Sequence, residues 1–179
     1  MAIKDILLLG DPDLFESSQP VEEAELEQAV RTGRDLADTM ERFRYKRGWG
    51  RAISAPQIGV RKRIIFLKVD EPWLIINPEV SDPSDETMEI WDDCMSFPDL
   101  LVKVERHVSF TMKWRDENWE LHEKRIEGLF SELLQHEIDH LDGILAVSRA
   151  INGNSFALQS QRDKIPGAVF ANNPAAAAV

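Results

Sequence analysis

The chain has 179 residues, 43% hydrophobic and 30% charged, enough for one domain with a buried core. Its 32 acidic and 21 basic side chains give a formal net charge of −11. That charge argues against direct, specific nucleic-acid binding, while leaving room for a transient visit to the ribosome through a local basic patch. The opening residues Met1-Ala2-Ile3-Lys4-Asp5 lead into only a short apolar run at 6–9, and no apolar stretch approaches the ~20 residues of a membrane span. A cytoplasmic protein with no membrane partner is expected.

Residues 3–9 are apolar and read as strand or extended chain, closed by a turn at Gly10-Asp11-Pro12. Residues 22–45 carry Leu26, Ala29, Val30, Leu36, Ala37, Met40 and Phe43 at helical spacing, which predicts a long amphipathic helix. Its acidic start (Glu22, Glu23, Glu25) and basic end (Arg42, Arg44, Lys46, Arg47) complement the helix dipole and form a solvated face. Gly48-Trp49-Gly50 ends it. Residues 63–69 and 73–76 read as strands around an Asp70-Glu71-Pro72 turn, followed by a polar loop at 81–86. Three further strands are predicted at 100–105, 107–115 and 118–127, with Asp116-Glu117-Asn118 as a hairpin turn. Gly128 opens a second helix that ends near Gly143, and 155–163 reads as helical. One domain over 1–170, without internal repeats, and a disordered tail over 171–179 complete the reading. The fold class is α+β, with antiparallel strands packed around a central helix.

That central helix holds the run Gln135-His136-Glu137-Ile138-Asp139-His140, an HExxH pattern. A helix turns every ~3.6 residues, so His136 and His140 share one face, one turn apart. Two imidazoles there can hold one metal ion, with Glu137 placed as general base for a water. The apolar run Leu129, Phe130, Leu133, Leu134 precedes the histidines, which sets them after a buried stripe rather than on a wet face. His107 and His122 fall in strands, where surface or structural roles fit better than ligation. A third ligand is needed. Downstream, Asp142 is too close along the same helix and no histidine follows. Upstream stands Cys94, the only cysteine, which is either a small buried hydrophobe or a ligand.

The neighbourhood of Cys94 bears on that choice. Asp92-Asp93-Cys94-Met95-Ser96-Phe97-Pro98 is similar to the EGCLSxP segment of peptide deformylases. Ala55-Pro56-Gln57-Ile58-Gly59 resembles the end of their GxGLAAPQIG segment, and residues 135–143, QHEIDHLDG, match their third motif throughout. The motifs stand in the family's order and near its spacing, and Arg63-Ile64-Ile65 and Ile76-Asn77-Pro78-Glu79 agree between them. The chain thus resembles a divergent member of the peptide deformylase family over about residues 5–150.

The resemblance implies that Cys94, His136 and His140 bind one divalent metal, typically iron(II), with zinc, nickel or cobalt as substitutes. It implies that Glu137 acts as general base and then general acid, and that Gln57 and the Met95 backbone N–H stabilise an oxyanion. The implied activity is hydrolysis of the N-formyl group from the N-terminal methionine of nascent peptides, within protein biosynthesis. The alternatives are a deformylase-like hydrolase of another formylated or acylated amine, and a non-catalytic binding relative. A formylated peptide or related small substrate is the expected partner.

Several positions depart from the family pattern. Aligned back from Gln57, Arg51 stands where a large apolar residue is expected and Ala52 where glycine is. Asp92-Asp93 replaces Glu-Gly, with Asp92 still able to orient a ligand histidine. Leu101 replaces a basic residue associated with substrate binding, while Arg106 matches a family arginine. Glu132, one turn before His136, replaces an apolar residue. The expected substrate pocket is Arg51, Ala52, Ile90, Leu129, Glu132 and Leu133, so it holds two opposite charges, expected to lie close together unless both side chains snorkel to solvent. Trp91 is expected in the core or pocket wall.

Overall fold

The computed structural model describes residues 2–171. The expected tail beyond Ala171 lies outside the described residues. Ala171 itself is buried and donates its N–H to the Trp91 carbonyl at 3.0 Å.

The first long helix, α1 (Leu26–Arg47), buries Ala29, Leu36 and Met40 along one stripe. It starts later than the charge pattern predicts. Glu22 and Glu25 close a reciprocal capping box around a short 3-10 turn, Glu23–Glu25, so these acids cap the helix rather than extend it. Gly48 ends it with φ 81°, its N–H on the Arg44 carbonyl at 2.8 Å. Gly33 brings the helix close to the sheet: a Cβ there would stand 2.6 Å from Leu74 Cδ1.

Among the described residues, eight strands follow in two antiparallel sheets. They are β1 (Ala52–Ser54), β2 (Ile64–Lys68), β3 (Pro72–Ser81), β4 (Thr87–Asp93), β5 (Leu100–His107), β6 (Ser109–Arg115), β7 (Leu121–Glu127) and β8 (Phe156–Leu158). The larger sheet runs β1-β2-β3-β6-β7 and the smaller β4-β5-β8. Side chains alternate across the larger sheet. Ile53, Ile64 and Ile76 pack with α1, while Ile65, Leu67, Ile75, Phe110 and Met112 pack with Leu134, Ile138 and Leu141 of the second helix, α2 (Gly128–Leu141). Each such fully buried side chain contributes roughly 1.5–3 kcal/mol. The smaller sheet adds Ile90, Val102 and Val104 to a cluster with Leu14, Leu145 and Leu129. So α2 lies between two sheets, as the α+β reading expects, and its polar residues other than Gln135 are buried.

The differences from the sequence reading have local causes. The strand β4 escapes a period-2 search because its inward positions run Ile90 then Asp92, an acid where an apolar residue would complete the alternation. The third strand runs on past residue 76 through a register shift between Ile76 and Glu79, with Asn77 at φ 52°. Asn77 is held there by two 2.8 Å hydrogen bonds between its side-chain amide and the Val21 backbone. Residues 155–163 do not form one helix; only their second half, within Gln159–Lys164, is helical, as a 3-10 helix. Phe156–Leu158 pairs with β5, in the register Leu100↔Leu158, before a 3-10 turn at Gln159–Lys164. Tertiary pairing overrides the local preference there. No helix among the described residues is long and apolar enough to cross a membrane.

Candidate metal centre and catalytic site

Three elements converge on one buried point. His136 and His140 come from α2, Cys94 from the end of β4, and Gln57 from the 3-10 turn Ala55–Ile58 that follows β1. Cys94 Sγ lies 3.2 Å from His140 Nε2, which lies 3.2 Å from His136 Nε2. Ligands held at ~2.0–2.3 Å around a tetrahedral ion stand roughly 3.3–3.6 Å apart, so a thiol sulfur and two ring nitrogens meet here at about ligand spacing. All three residues are buried, and His140 Nδ1 has no hydrogen-bond partner, so the cluster is the polar environment of that ring. This donor set fits a divalent transition metal by softness and geometry.

Behind the cluster runs a chain of buried charges. His136 Nδ1 donates to Asp92 Oδ2 at 2.8 Å, which turns Nε2 to the cluster, able to ligate once it gives up its proton. Arg106 Nη2 lies 3.3 Å from the same Asp92 oxygen and its Nη1 binds Asp139, which also accepts from Arg149 Nε at 2.8 Å and Nη2 at 2.6 Å. Burial pushes the Asp92 carboxyl up, but His136 and Arg106 outweigh it and hold its pKa at about 2. Burial opposes a charge on His136, yet Asp92 and Cys94 raise its pKa well above the ordinary range. Burial and His136 together drive His140 well below it. Burial also raises the Cys94 thiol.

Glu137 sits beside the cluster and is itself buried. The Ser54 hydroxyl donates to its carboxylate. Burial raises the Glu137 pKa, opposed by His136 and Ser54. Gln57 is pinned through its Oε1, which accepts the Ser54 N–H at 2.9 Å, so its Nε2 faces Ser96 Oγ at 3.2 Å and Cys94 Sγ at 3.5 Å. Ser96 N–H lies 3.4 Å from the same sulfur.

A narrow cleft adjoins the cluster, with a cavity volume of about 20 Å³. Arg51, Ala52, Glu132 and Leu133 line it, with Gln57, Cys94, Met95, His136 and Glu137 at its chemical end. Ile90 and Leu129 do not line it; Ile90 belongs to the core cluster with Val102 and Val104, and the half-buried Leu129 packs against that cluster. Trp91 is half-buried outside the cavity, and Trp49, from the loop after α1, stands in the wall instead. Arg51 Nη2 and Glu132 Oε2 lie 3.5 Å apart, the glutamate 1% exposed and the arginine 21%, so the pair stays inside rather than reaching for solvent. Burial and the nearby Asp92 raise the Glu132 pKa to about 8, against Arg51. Asp93 is buried, with Gln159 Nε2 at 3.4 Å. Leu101 is a core residue.

Sequence reasoning missed Ser54, Trp49, Ser96 and Arg149. Ser54 had one signal, its position immediately before Ala55-Pro56-Gln57. Of the two strand histidines, His107 Nδ1 meets the Ser84 carbonyl at 2.7 Å, and His122 stacks on Trp114 and bonds Asp116 at 2.8 Å.

Comparison with known proteins adds an independent line. Residues 3–155 match the family model described as polypeptide deformylase. The peptide deformylase of Leptospira biflexa is 34% identical over 175 residues, covering 91% of this chain and 96% of its own. That of Natranaerobius thermophilus is 38% identical over 152 residues, covering 84% and 94%. The crystal structure of peptide deformylase from Thermotoga maritima superimposes with a TM-score of 0.78 at 30% identity, over 85% of this chain and all of that one. A peptide deformylase from Synechococcus elongatus, solved in complex with actinonin, gives 0.74 at 30% identity, over 84% of this chain and 80% of that one.

Proposed function

The chain belongs to the polypeptide deformylase family, and on that premise we propose that it hydrolyses the N-formyl group from the N-terminal methionine of nascent peptides, using one divalent metal ion held by Cys94, His136 and His140. Iron(II) is the metal the resemblance favours, and zinc, nickel or cobalt also suit a thiolate with two imidazoles. The observation that carries the site assignment is the convergence of Cys94 Sγ, His136 Nε2 and His140 Nε2 beside Glu137 and Gln57.

When bound, the ion supplies Lewis acidity, acidifying water and drawing electron density from a carbonyl oxygen. The remaining work falls to side chains. Glu137 takes a proton from the attacking water as its oxygen bonds to the formyl carbon. Ser54 holds one carboxylate oxygen and so sets the direction of the other. Gln57 Nε2, fixed by the Ser54 N–H, and the Met95 N–H donate to the oxyanion; a donor of this kind is worth roughly 3–4 kcal/mol. Glu137 then returns the proton to the amine nitrogen as the C–N bond breaks, giving formate and a free N-terminus. Its burial-raised pKa suits it to hold that proton in between. Asp92 keeps His136 in the tautomer that leaves Nε2 available.

A nascent-chain substrate would put the activity in the cytoplasm, and we propose Lys46 and Arg47, in the last turn of α1, for a brief ribosome contact. The test is formate release from formyl-Met-Ala-Ser by protein purified anaerobically with iron(II), since a metal thiolate oxidises readily. Absence of turnover with full metal occupancy would overturn the reading.

A further inference from the structure

We propose that the Arg51–Glu132 pair is a specificity device that makes the cavity prefer a first side chain ending in an uncharged group able both to donate and to accept a hydrogen bond, a carboxamide above all. The inference rests on the reading that the chain removes an N-formyl group, and it changes which first residue that activity favours.

The cavity is continuous from Glu137 and Cys94 to Arg51, Glu132 and Leu133. A formyl carbon within reach of Glu137 is bonded to the amine nitrogen, which is bonded to the Cα of the first residue. The side chain on that Cα is therefore directed at the same cleft, which widens as the partly exposed Arg51 swings outward. There it meets two buried polar atoms without hydrogen-bond partners, Glu132 Oε2 and Arg51 Nε. The carboxyl oxygen accepts, or donates when it carries the proton, and the guanidinium nitrogen donates. Their own ion pair, at 3.5 Å, satisfies neither, because it runs through Arg51 Nη2 and is too long for a good hydrogen bond. A buried polar group left without a partner is unfavourable, so a ligand that supplies the missing partners gains what an apolar ligand cannot.

Methionine and glutamine have side chains of nearly equal length. The methionine thioether offers only a weak acceptor and no donor. The glutamine carboxamide offers an N–H for Glu132 Oε2 and a carbonyl for Arg51 Nε. Arg51 is one-fifth exposed and can shift outward to admit it, whereas Glu132 on α2 is walled in. Leu133 and Ala52 supply the apolar sides that fit the methylenes of either residue.

The experiment compares formyl-Gln-Ala-Ser with formyl-Met-Ala-Ser on metal-loaded protein, in wild type and in the double variant Arg51→Ile with Glu132→Ile. The glutamine peptide is expected to have the higher kcat/KM in wild type, and the Gln-to-Met ratio to fall at least ~tenfold in the double variant. Calorimetric binding of both peptides to metal-loaded Glu137→Gln protein gives the same comparison without turnover, with the glutamine peptide binding tighter. Because the wild-type ratio and this binding arm need no change at the pair, a double variant that fails to fold leaves the test standing. Efficient turnover and tighter binding of the methionine peptide would overturn the inference while sparing the deformylase reading. Turnover of neither peptide would overturn the deformylase reading, and this inference with it.

Discussion

Asp92 Oδ2 accepts the hydrogen bond of His136 Nδ1 at 2.8 Å across a sequence separation of 44 residues. That contact ties the end of β4 to α2 beside Cys94, the next-but-one residue of the same strand end. An acid that would otherwise look misplaced in a buried strand thus fixes the orientation and tautomer of a histidine ring. Replacing it by asparagine keeps the shape but removes the charge. Asp92→Asn is expected to weaken metal binding by about 10–100-fold. A competitive zinc titration checks this, with circular dichroism confirming the fold; unchanged affinity would mean that His136 needs no such support.

Cys94→Ala and His136→Ala are each expected to lose most of the bound metal, measured by elemental analysis after dialysis. Full occupancy in both would remove these residues from the ligand set. Uptake should also depend on pH. Burial raises the Cys94 thiol, and Asp92 leads the groups that raise His136 against burial, so the pair holds at least one proton near neutrality that a metal must displace. Affinity should therefore rise with pH from 6 to 8, with at least one proton released per ion. Calorimetry in buffers of different ionisation enthalpy reads that number; a value of zero would contradict the assignment.

Glu137→Ala is expected to keep its metal and lose about 10²–10⁴-fold in kcat, because the carboxylate moves protons and is not a ligand. Gln57→Leu should lose less, since the Met95 N–H remains as an oxyanion donor. Ser54→Ala should act through Glu137, lowering kcat more than it changes KM and moving the pH profile. Unchanged turnover in Glu137→Ala at full metal content would sink the mechanism.

The residues legible in the sequence were those whose spacing is itself the geometry. A pair four apart on a helix, His136 and His140, must share a face, and Cys94 stood out as the sole cysteine in a recognisable segment. What stayed hidden depended on long-range contacts. The strand β4 carries the acid that serves His136 and so breaks its own alternation. The three-residue β8 exists only because β5 is there to pair with. Ser54 and Arg149 gain meaning from partners on α2 more than an element away. Conversely, Ile90 and Leu129 were expected to keep the apolar character of the family's pocket, and that same character packs them into the core cluster with Val102 and Val104.

Glu132 should also leave a mark on stability. Its pKa is raised from 4.5 to about 8, chiefly by burial and then by Asp92, with Arg51 opposing. A carboxyl whose pKa is raised by folding contributes stability that is fully present below the unfolded value and is lost as pH rises through the folded one. Between pH 4.5 and 8 the folded state therefore grows costlier with each unit of pH. Glu132→Gln removes the titration while keeping the shape. The variant should gain Tm relative to wild type as pH goes from 5 to 8.5, at ~2–4 °C for each ~1 kcal/mol of difference. Comparing the two proteins at each pH cancels the groups they share, including Cys94 and His136. Differential scanning fluorimetry across that range is the measurement, and a Tm difference that stays flat or shrinks with pH would show that Arg51 keeps Glu132 ionised after all.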